Sequence, residues 1–234
     1  RLITITALLA AASLLGSSTS ACAAQTPAHA AASPPGDVFT PLIVTPLGNT
    51  PIAVPGTDGL FHVVYELELT NTKLAPATLK QIEVLDASTP SRVIASYADK
   101  KLLGSLRTLQ TAPADNVIIP ANESRLFYVE LAFADVAAIP HALVHHVALL
   151  GSANPNPRTP PTPMDYTVAK VELHRVPLPV IEPPLRGAGW VAANGCCNSL
   201  IDHRGSLVSI NGAMYDAQRF AIDWMRLNKD HEFV

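Results

Sequence analysis

The sequence has few charged residues and no basic cluster. Only 15% of its 234 residues are charged, and 16 basic against 19 acidic side chains give a formal net charge of −3. A nucleic-acid-binding surface needs clustered Lys and Arg to neutralise phosphates, so nucleic acid is excluded as an expected partner. The apolar fraction of 48% is ample for a hydrophobic core, which argues against wholesale disorder. The length suits one large domain, or one domain plus part of another.

Several catalytic and membrane signatures are also missing. The body of the chain contains no run of about 20 apolar residues, so no membrane-spanning helix is expected after the N-terminus. There is no G-x-S-x-G elbow, no Gly-rich phosphate loop and no H-E-x-x-H zinc motif. Residues 25–185 contain no candidate catalytic site, and we expect that region to be a binding module or a spacer rather than a catalytic domain.

The N-terminal segment is typical of a secretory signal peptide. Arg1 is followed by the apolar stretch Leu2–Leu15, by small polar residues and by Ala21-Cys22-Ala23. A positive start, an apolar core and an A-x-A site define such a signal, so residues 1–24 are predicted to direct export. Because the sequence begins without Met, we expect its start to lie inside the signal. The mature protein is predicted to be periplasmic or extracellular and to have no membrane span.

Two alternatives to a cleaved signal stay open. The segment could instead be an uncleaved anchor, although it is short for a bilayer, or a lipoprotein signal modified at Cys22.

The state of the two remaining cysteines is also open. Cleavage after Ala23 leaves Cys196 and Cys197, which can pair with each other only through a strained ring. The remaining interpretations are free thiols, pairing with other cysteines, a metal site that would lack the usual Cys-x-x-Cys spacing, and a hydrolase combining one of the cysteines with His203.

Alternating apolar and polar residues predict an all-β module after the N-terminal segment. In Phe61–Thr70 the odd-numbered side chains share one face, while Glu66 and Glu68 lie on the other, expected to be solvated. Arg125–Phe133 alternates in the same way. Further strands are predicted over Leu79–Leu85, Arg92–Ser96, Val117–Ile119, Leu143–Leu150 and Tyr166–His174, with one short helix near residues 99–109. About seven or eight strands separated by turn residues indicate an antiparallel, immunoglobulin-like β-sandwich.

The predicted organisation has five parts. A signal peptide (1–24) and a disordered spacer (25–40) precede the β-sandwich domain (41–176), and a Pro-rich linker (177–187) leads to the first strands of a second β domain (188–234). In that last part Asn211-Gly212 separates Leu207–Ile210 from Ala213–Tyr215, which indicates a type I′ hairpin. The alternation in Gln218–Trp224 predicts a further strand, with large apolar groups on one face and the Asp223 carboxylate on the other.

Three stretches of the C-terminal region, Trp190–Asn198, His203-Arg204 and Gln218–Trp224, together resemble the start of the catalytic domain in exported lysostaphin-type (LytM-like) zinc metallopeptidases. In that family a β-sandwich precedes the peptidase domain. Its zinc is held by a His and an Asp four residues apart and by the second His of a later His-x-His. The resemblance implies zinc as cofactor, Asp223 as a metal ligand, and cell-wall peptide or peptidoglycan as substrate.

The sequence departs from that metal site in two ways. Arg219 stands four residues before Asp223, where a guanidinium cannot ligate zinc because it stays protonated, and the sequence contains no His-x-His. Catalytic zinc needs about three protein ligands plus a water. We therefore expect this chain to be the N-terminal part of such a protein, with hydrolysis confined to the full-length form. The alternative is a non-catalytic exported β-sandwich that binds or scaffolds, with Asp223 and Arg219 forming an ion pair on a strand. His203 is expected to lie on the substrate side or to stabilise a turn.

Overall fold

The computed structural model describes residues 38–48, 50–154, 156, 158–182, 184–195 and 202–234. The predicted signal peptide, the spacer up to residue 37, and Cys196 and Cys197 lie outside these residues. Residues Val38–Val234 form one compact unit. Within the described residues, no helix combines the length and the apolar character needed to cross a bilayer.

The described chain is built mainly from strands. They are β1 (Leu42–Pro46), β2 (Val54–Pro55), β3 (Phe61–Asn71), β4 (Ala77–Asp86), β5 (Thr89–Ala98), β6 (Leu106–Arg107), β7 (Ile118–Ile119), β8 (Ser124–Phe133), β9 (Ala142–Gly151), β10 (Thr162–Glu172), β11 (Trp190–Asn194), β12 (Leu207–Ile210), β13 (Ala213–Asp216) and β14 (Asp223–Arg226). One α-helix, α1 (Asp99–Gly104), follows β5, and 3₁₀ turns occur at Val136–Ala138 and Asp202–Gly205.

Two five-stranded sheets form the main body. The first has the order β1-β3-β8-β6, with β2 also beside β3, and the second has the order β10-β9-β4-β5, with β7 also beside β4. Every pairing between these strands is antiparallel. The predicted antiparallel all-β fold is therefore confirmed.

The core lies between the two sheets, and strand alternation selects the residues that fill it. The first sheet contributes the face predicted for β3 and β8, including Tyr65, Leu67 and Phe127. The second contributes Ile82 and Val147 among others. Burying each large apolar side chain stabilises the fold by about 1.5–3 kcal/mol, so this shared interior is the main source of stability for the sandwich.

A hydrogen-bonded histidine is buried within this core. The imidazole of His145 accepts at Nε2 from the hydroxyl of Tyr65 at 2.7 Å, while its Nδ1 donates to the carbonyl of Ala169 at 2.8 Å. Ala169 lies in an irregularity of β10 with a positive φ of 58°. Burial lowers the pKa of His145 to about 4. Its neighbour His146 lies on the outer face of the sheet, as strand alternation predicts.

Short elements at the edges differ from the predictions. The strands β1, β2 and β6 were not predicted, since each contains too few alternating residues to give a period. The predicted helix over residues 99–109 stops at Gly104, because Leu106 leaves the helix and pairs with Phe127 of β8. Tertiary pairing overrides the helical spacing of the leucines there.

We predict that His145 makes the stability of the sandwich depend on pH. The native imidazole stays neutral down to about pH 4, whereas the unfolded chain binds a proton near pH 6.5, so stability falls as pH decreases from 6.5 to 4, by about 3 kcal/mol in total. His145→Gln retains a donor and an acceptor but does not titrate. Urea unfolding at both pH values should show a smaller acid loss for this variant than for the wild type. The half-buried His146→Gln, on the outer face of the same strand, is the matched control. If H145Q lost as much unfolding free energy on acidification as the wild type, the assignment would be contradicted.

Candidate functional site

The segment after β10 forms two small antiparallel ribbons. Strands β12 and β13 pair as a hairpin whose turn residues Asn211 and Gly212 have φ values of 51° and 79°, so the predicted hairpin is confirmed. Strand β11 pairs with β14. The strand predicted over residues 218–224 is wrong in its first part, since residues 217–220 form a turn and β14 begins at Asp223. In that turn the backbone N–H of Ala221 donates to the carbonyl of Gln218 at 2.8 Å.

The hairpin lies against the outer face of the first sheet. Its residues Leu207 and Met214 pack on a small apolar cluster formed by Leu47, Leu126 and Tyr128. In addition, the hydroxyl of Tyr128 donates to the carbonyl of Arg204 at 2.7 Å. An outer sheet face that the sequence predicts to be solvated is therefore partly covered.

A buried carboxylate lies beneath this cover. Glu66, in the middle of β3, was expected to be solvated, but its side chain has 0% exposure. Arg204 and Arg219 each donate from Nε to Glu66 Oε1 at 3.1 Å, and Arg219 also bonds Glu66 Oε2 through Nη2. Two cations from the C-terminal segment thus share one anion of the sandwich, which compensates the cost of burying each charge.

Arg204 makes further contacts with the first sheet. Its Nη2 donates to the carbonyl of Val129 at 2.8 Å, its Nη1 lies 3.4 Å from Glu130 Oε2, and its guanidinium stacks 4.6 Å from the ring centroid of Tyr128. These bonds use the planar donor fork of an arginine, which a lysine could not reproduce.

A second carboxyl group is buried in the same place. The side chain of Asp216, at the end of β13, has 0% exposure, and neither of its oxygens accepts a hydrogen bond from a described residue. Its nearest cation is Arg219, whose Nε lies 3.8 Å from Oδ2. Desolvation, together with the neighbouring Glu66, raises the pKa of Asp216 to about 7.

The predicted metal ligand Asp223 lies at the rim of this segment, beside His203. Asp223 Oδ2 is 3.1 Å from His203 Nε2, and the side chain of Asp223 is 58% exposed. His203 is held in the 3₁₀ turn Asp202–Gly205, where its Nδ1 donates to the carbonyl of Ala221 at 2.9 Å. Metal-ligating histidines are commonly oriented in a similar way, by a hydrogen bond from the ring nitrogen that faces away from the metal.

The described residues do not complete a zinc site. His203 and Asp223 offer one nitrogen and one oxygen donor, of the types that suit zinc, whereas a catalytic site takes about three protein ligands. No group of three or more His, Cys, Asp or Glu suited to a metal occurs in the part of the chain that the structure describes. The Asp223–His203 pair therefore supplies too few ligands for a catalytic zinc site, and no reaction step is derived from it.

Arg219 does not form the ion pair with Asp223 that was considered from the sequence. Its guanidinium points to Glu66 and Asp216 instead. The pairing of His203 with Asp223 is also not predicted from the sequence. His203 and Asp223 lie twenty residues apart, so no local sequence pattern indicates their contact. The turn between the two ribbons brings them together.

The large apolar side chains around Asp223 are only partly buried. Phe220, Ile222 and Trp224 are 47%, 41% and 42% exposed, and Met225 is exposed to a similar extent. Scattered exposed apolar residues are common, but several large ones on one short segment mark a surface suited to contact with another element.

Comparisons with known proteins add little to this geometry. No protein-family model matches the chain, and no curated protein sequence is similar to it. A solved structure described as "X-ray structure of Northeast Structural Genomics Consortium target SoR45" is similar at 8% identity, covering 63% of this chain and 93% of that chain, with a TM-score of 0.32. A TM-score this low supports no statement about fold or function.

We predict that Glu66→Gln detaches the C-terminal segment. The variant leaves Arg204 and Arg219 without their shared anion, and removing one partner of a buried ion pair costs roughly 3–5 kcal/mol. Peptides covering residues 202–226 should therefore lose protection from backbone hydrogen exchange, which reports the release of the segment. Glu68→Gln, on the same face of β3, is the matched control. If E66Q kept the wild-type hydrogen-exchange protection and urea midpoint, the carboxylate would not be the anchor.

Proposed function

We propose that this chain is the N-terminal part of an exported metallopeptidase-like protein directed at cell-wall peptides. In this proposal the sandwich is a platform that carries the first ribbons of the peptidase-like domain. Zinc-dependent hydrolysis belongs to the full-length protein, because the described residues supply only two metal donors.

The observation that carries the proposal is the Asp223–His203 pair. Asp223 is the residue that the resemblance to lysostaphin-type enzymes assigns to the metal, and its exposed carboxylate lies 3.1 Å from an imidazole nitrogen. The other imidazole nitrogen is held by the backbone of Ala221. This arrangement supports a role as two preoriented donors, although it departs from the family pattern in the position of the histidine.

The exposed apolar residues around Asp223 give further support. Phe220, Ile222 and Trp224 surround Asp223 in sequence and remain substantially exposed. A two-stranded ribbon such as β11–β14 is marginally stable by itself and has unpaired edges on which further strands can form. The proposal therefore expects more of a β domain to be built against this ribbon.

The role proposed for the sandwich follows from its contacts. Arg204 and Arg219 attach the C-terminal segment to Glu66, and the apolar side of the hairpin packs on the same sheet. A platform of this kind fixes the direction in which the Asp223–His203 pair faces, and a site built on rigid elements keeps its geometry better than one on loops.

The test is the metal content and the peptidase activity of the full-length protein. We expect about one zinc per chain, together with cleavage of purified wall peptides, because catalytic zinc sites hold a single activated ion. Asp223→Asn should lower the zinc content and the cleavage rate at least tenfold, since a ligating carboxylate becomes a weak neutral donor. Asp230→Asn, which removes an exposed charge from the same segment, is the matched control. A wild-type protein without zinc and without cleavage would refute the peptidase proposal.

A non-catalytic binding or scaffold protein is the second candidate, and Arg219 favours it. The position where lysostaphin-type enzymes have their first zinc-binding histidine is occupied by a guanidinium that is bonded to Glu66. Under this alternative, peptidoglycan binds with the same affinity in wild type and D223N, and zinc is absent from both. Zinc content distinguishes the two functions, and sedimentation with purified peptidoglycan tests the binding that the second one requires.

A further inference from the structure

We propose that Asp216 and Glu66 form a pH-sensitive clasp, which holds the C-terminal ribbons on the sandwich more tightly in mildly acidic than in mildly alkaline solution. The two carboxyl groups come from different elements, β13 of the hairpin and β3 of the sandwich. Both side chains are fully buried. The clasp concerns the attachment of the segment and stands independently of the function proposed above.

The hydrogen bonds of the two carboxyl groups are unequal. Glu66 accepts from both Arg204 and Arg219, whereas Asp216 accepts from no described residue. The distance of 3.8 Å from Arg219 Nε to Asp216 Oδ2 is too long for a hydrogen bond. An ionised carboxylate buried without a donor is costly, so the arrangement favours the protonated form of Asp216.

Charged groups on every neighbouring element affect whether Asp216 is ionised. Glu66 on β3 opposes ionisation of Asp216, while Arg204 in the 3₁₀ turn and Arg219 in the following turn favour it. On β8, the Tyr128 hydroxyl stays neutral because its pKa is raised to about 12.

Two more charged groups face Arg204 or Tyr128. Glu130, also on β8, is a partner of Arg204. Arg107 on β6 lies 5.4 Å from the ring centroid of Tyr128, and its Nη1 donates to the carbonyls of Gly104 and Leu106. Neither residue supplies a hydrogen bond to Asp216.

The direction of the pH effect follows from the proton affinity of Asp216. Burial and Glu66 raise its pKa to about 7 when the hairpin is docked, against an ordinary 3.8 when it is released. The docked form therefore binds a proton more tightly, and docking weakens as pH rises from about 4 to about 7. Between pH 5.5 and pH 8 the docking equilibrium should fall by about 30-fold on this linkage.

Hydrogen exchange of backbone amides, measured by mass spectrometry on the whole chain, tests the clasp. After correction for intrinsic exchange rates, peptides covering 207–226 should lose about 30-fold protection from pH 5.5 to pH 8. Peptides covering β3 and β8 provide the internal reference for the sandwich. In Asp216→Asn the amide is neutral at both pH values, so protection of 207–226 should be independent of pH. The exposed Asp115→Asn is the matched control and should behave as the wild type.

A second measurement needs no variant at Asp216. Carbon-13 NMR of wild-type protein labelled at aspartate carboxyl groups should contain one resonance that titrates near pH 7, well away from the ordinary range of aspartates. The absence of such a resonance would overturn the proposal, as would equal pH dependence of protection in the wild type and D216N. Loss of the pH effect in D216N, together with the displaced resonance, would support it.

Discussion

The arrangement of the C-terminal segment depends on one buried carboxylate. Glu66 projects from the outer face of the first sheet and receives two arginines from a region more than 130 residues away in the sequence. Removing a carboxylate from water costs several kcal/mol unless charge and hydrogen bonds compensate it. Two guanidinium groups, with additional bonds from Arg204 to the carbonyls of β3 and β8, provide that compensation. The hairpin then completes the burial through Leu207 and Met214.

The geometry around Asp223 follows from this anchor. Arg204 is adjacent to His203 in the same 3₁₀ turn, so fixing the arginine on the sheet also fixes the position from which the imidazole reaches Asp223. Because Arg219 is engaged by Glu66 and faces Asp216, it leaves the carboxylate of Asp223 exposed and paired with a histidine. The contacts that attach the segment therefore also keep Arg219 away from Asp223, although the two residues are only four positions apart in the sequence.

Strand alternation predicted the sandwich well, because a period of two reports directly which side chains enter the core. The buried faces of β3 and β8 correspond to the predicted ones, and the Asn211-Gly212 turn formed where its backbone preference requires. Prediction failed over residues 218–222, where the alternation of Phe220, Ile222 and Trp224 resembles a strand but the chain turns. A period in a short segment carries no information about whether a pairing strand is present.

The sequence by itself determined the all-β class, the inner faces of the long strands and the hairpin, since these depend on local alternation and on backbone preferences of neighbouring residues. Only the tertiary structure decided that Glu66 is buried, that Asp216 lies beside it, and that Asp223 pairs with His203 rather than with Arg219. Those contacts join residues far apart in the chain, and their energies come from desolvation and charge pairing at a shared surface. A sequence pattern reports which face of a strand is apolar, but it does not report what covers the other face.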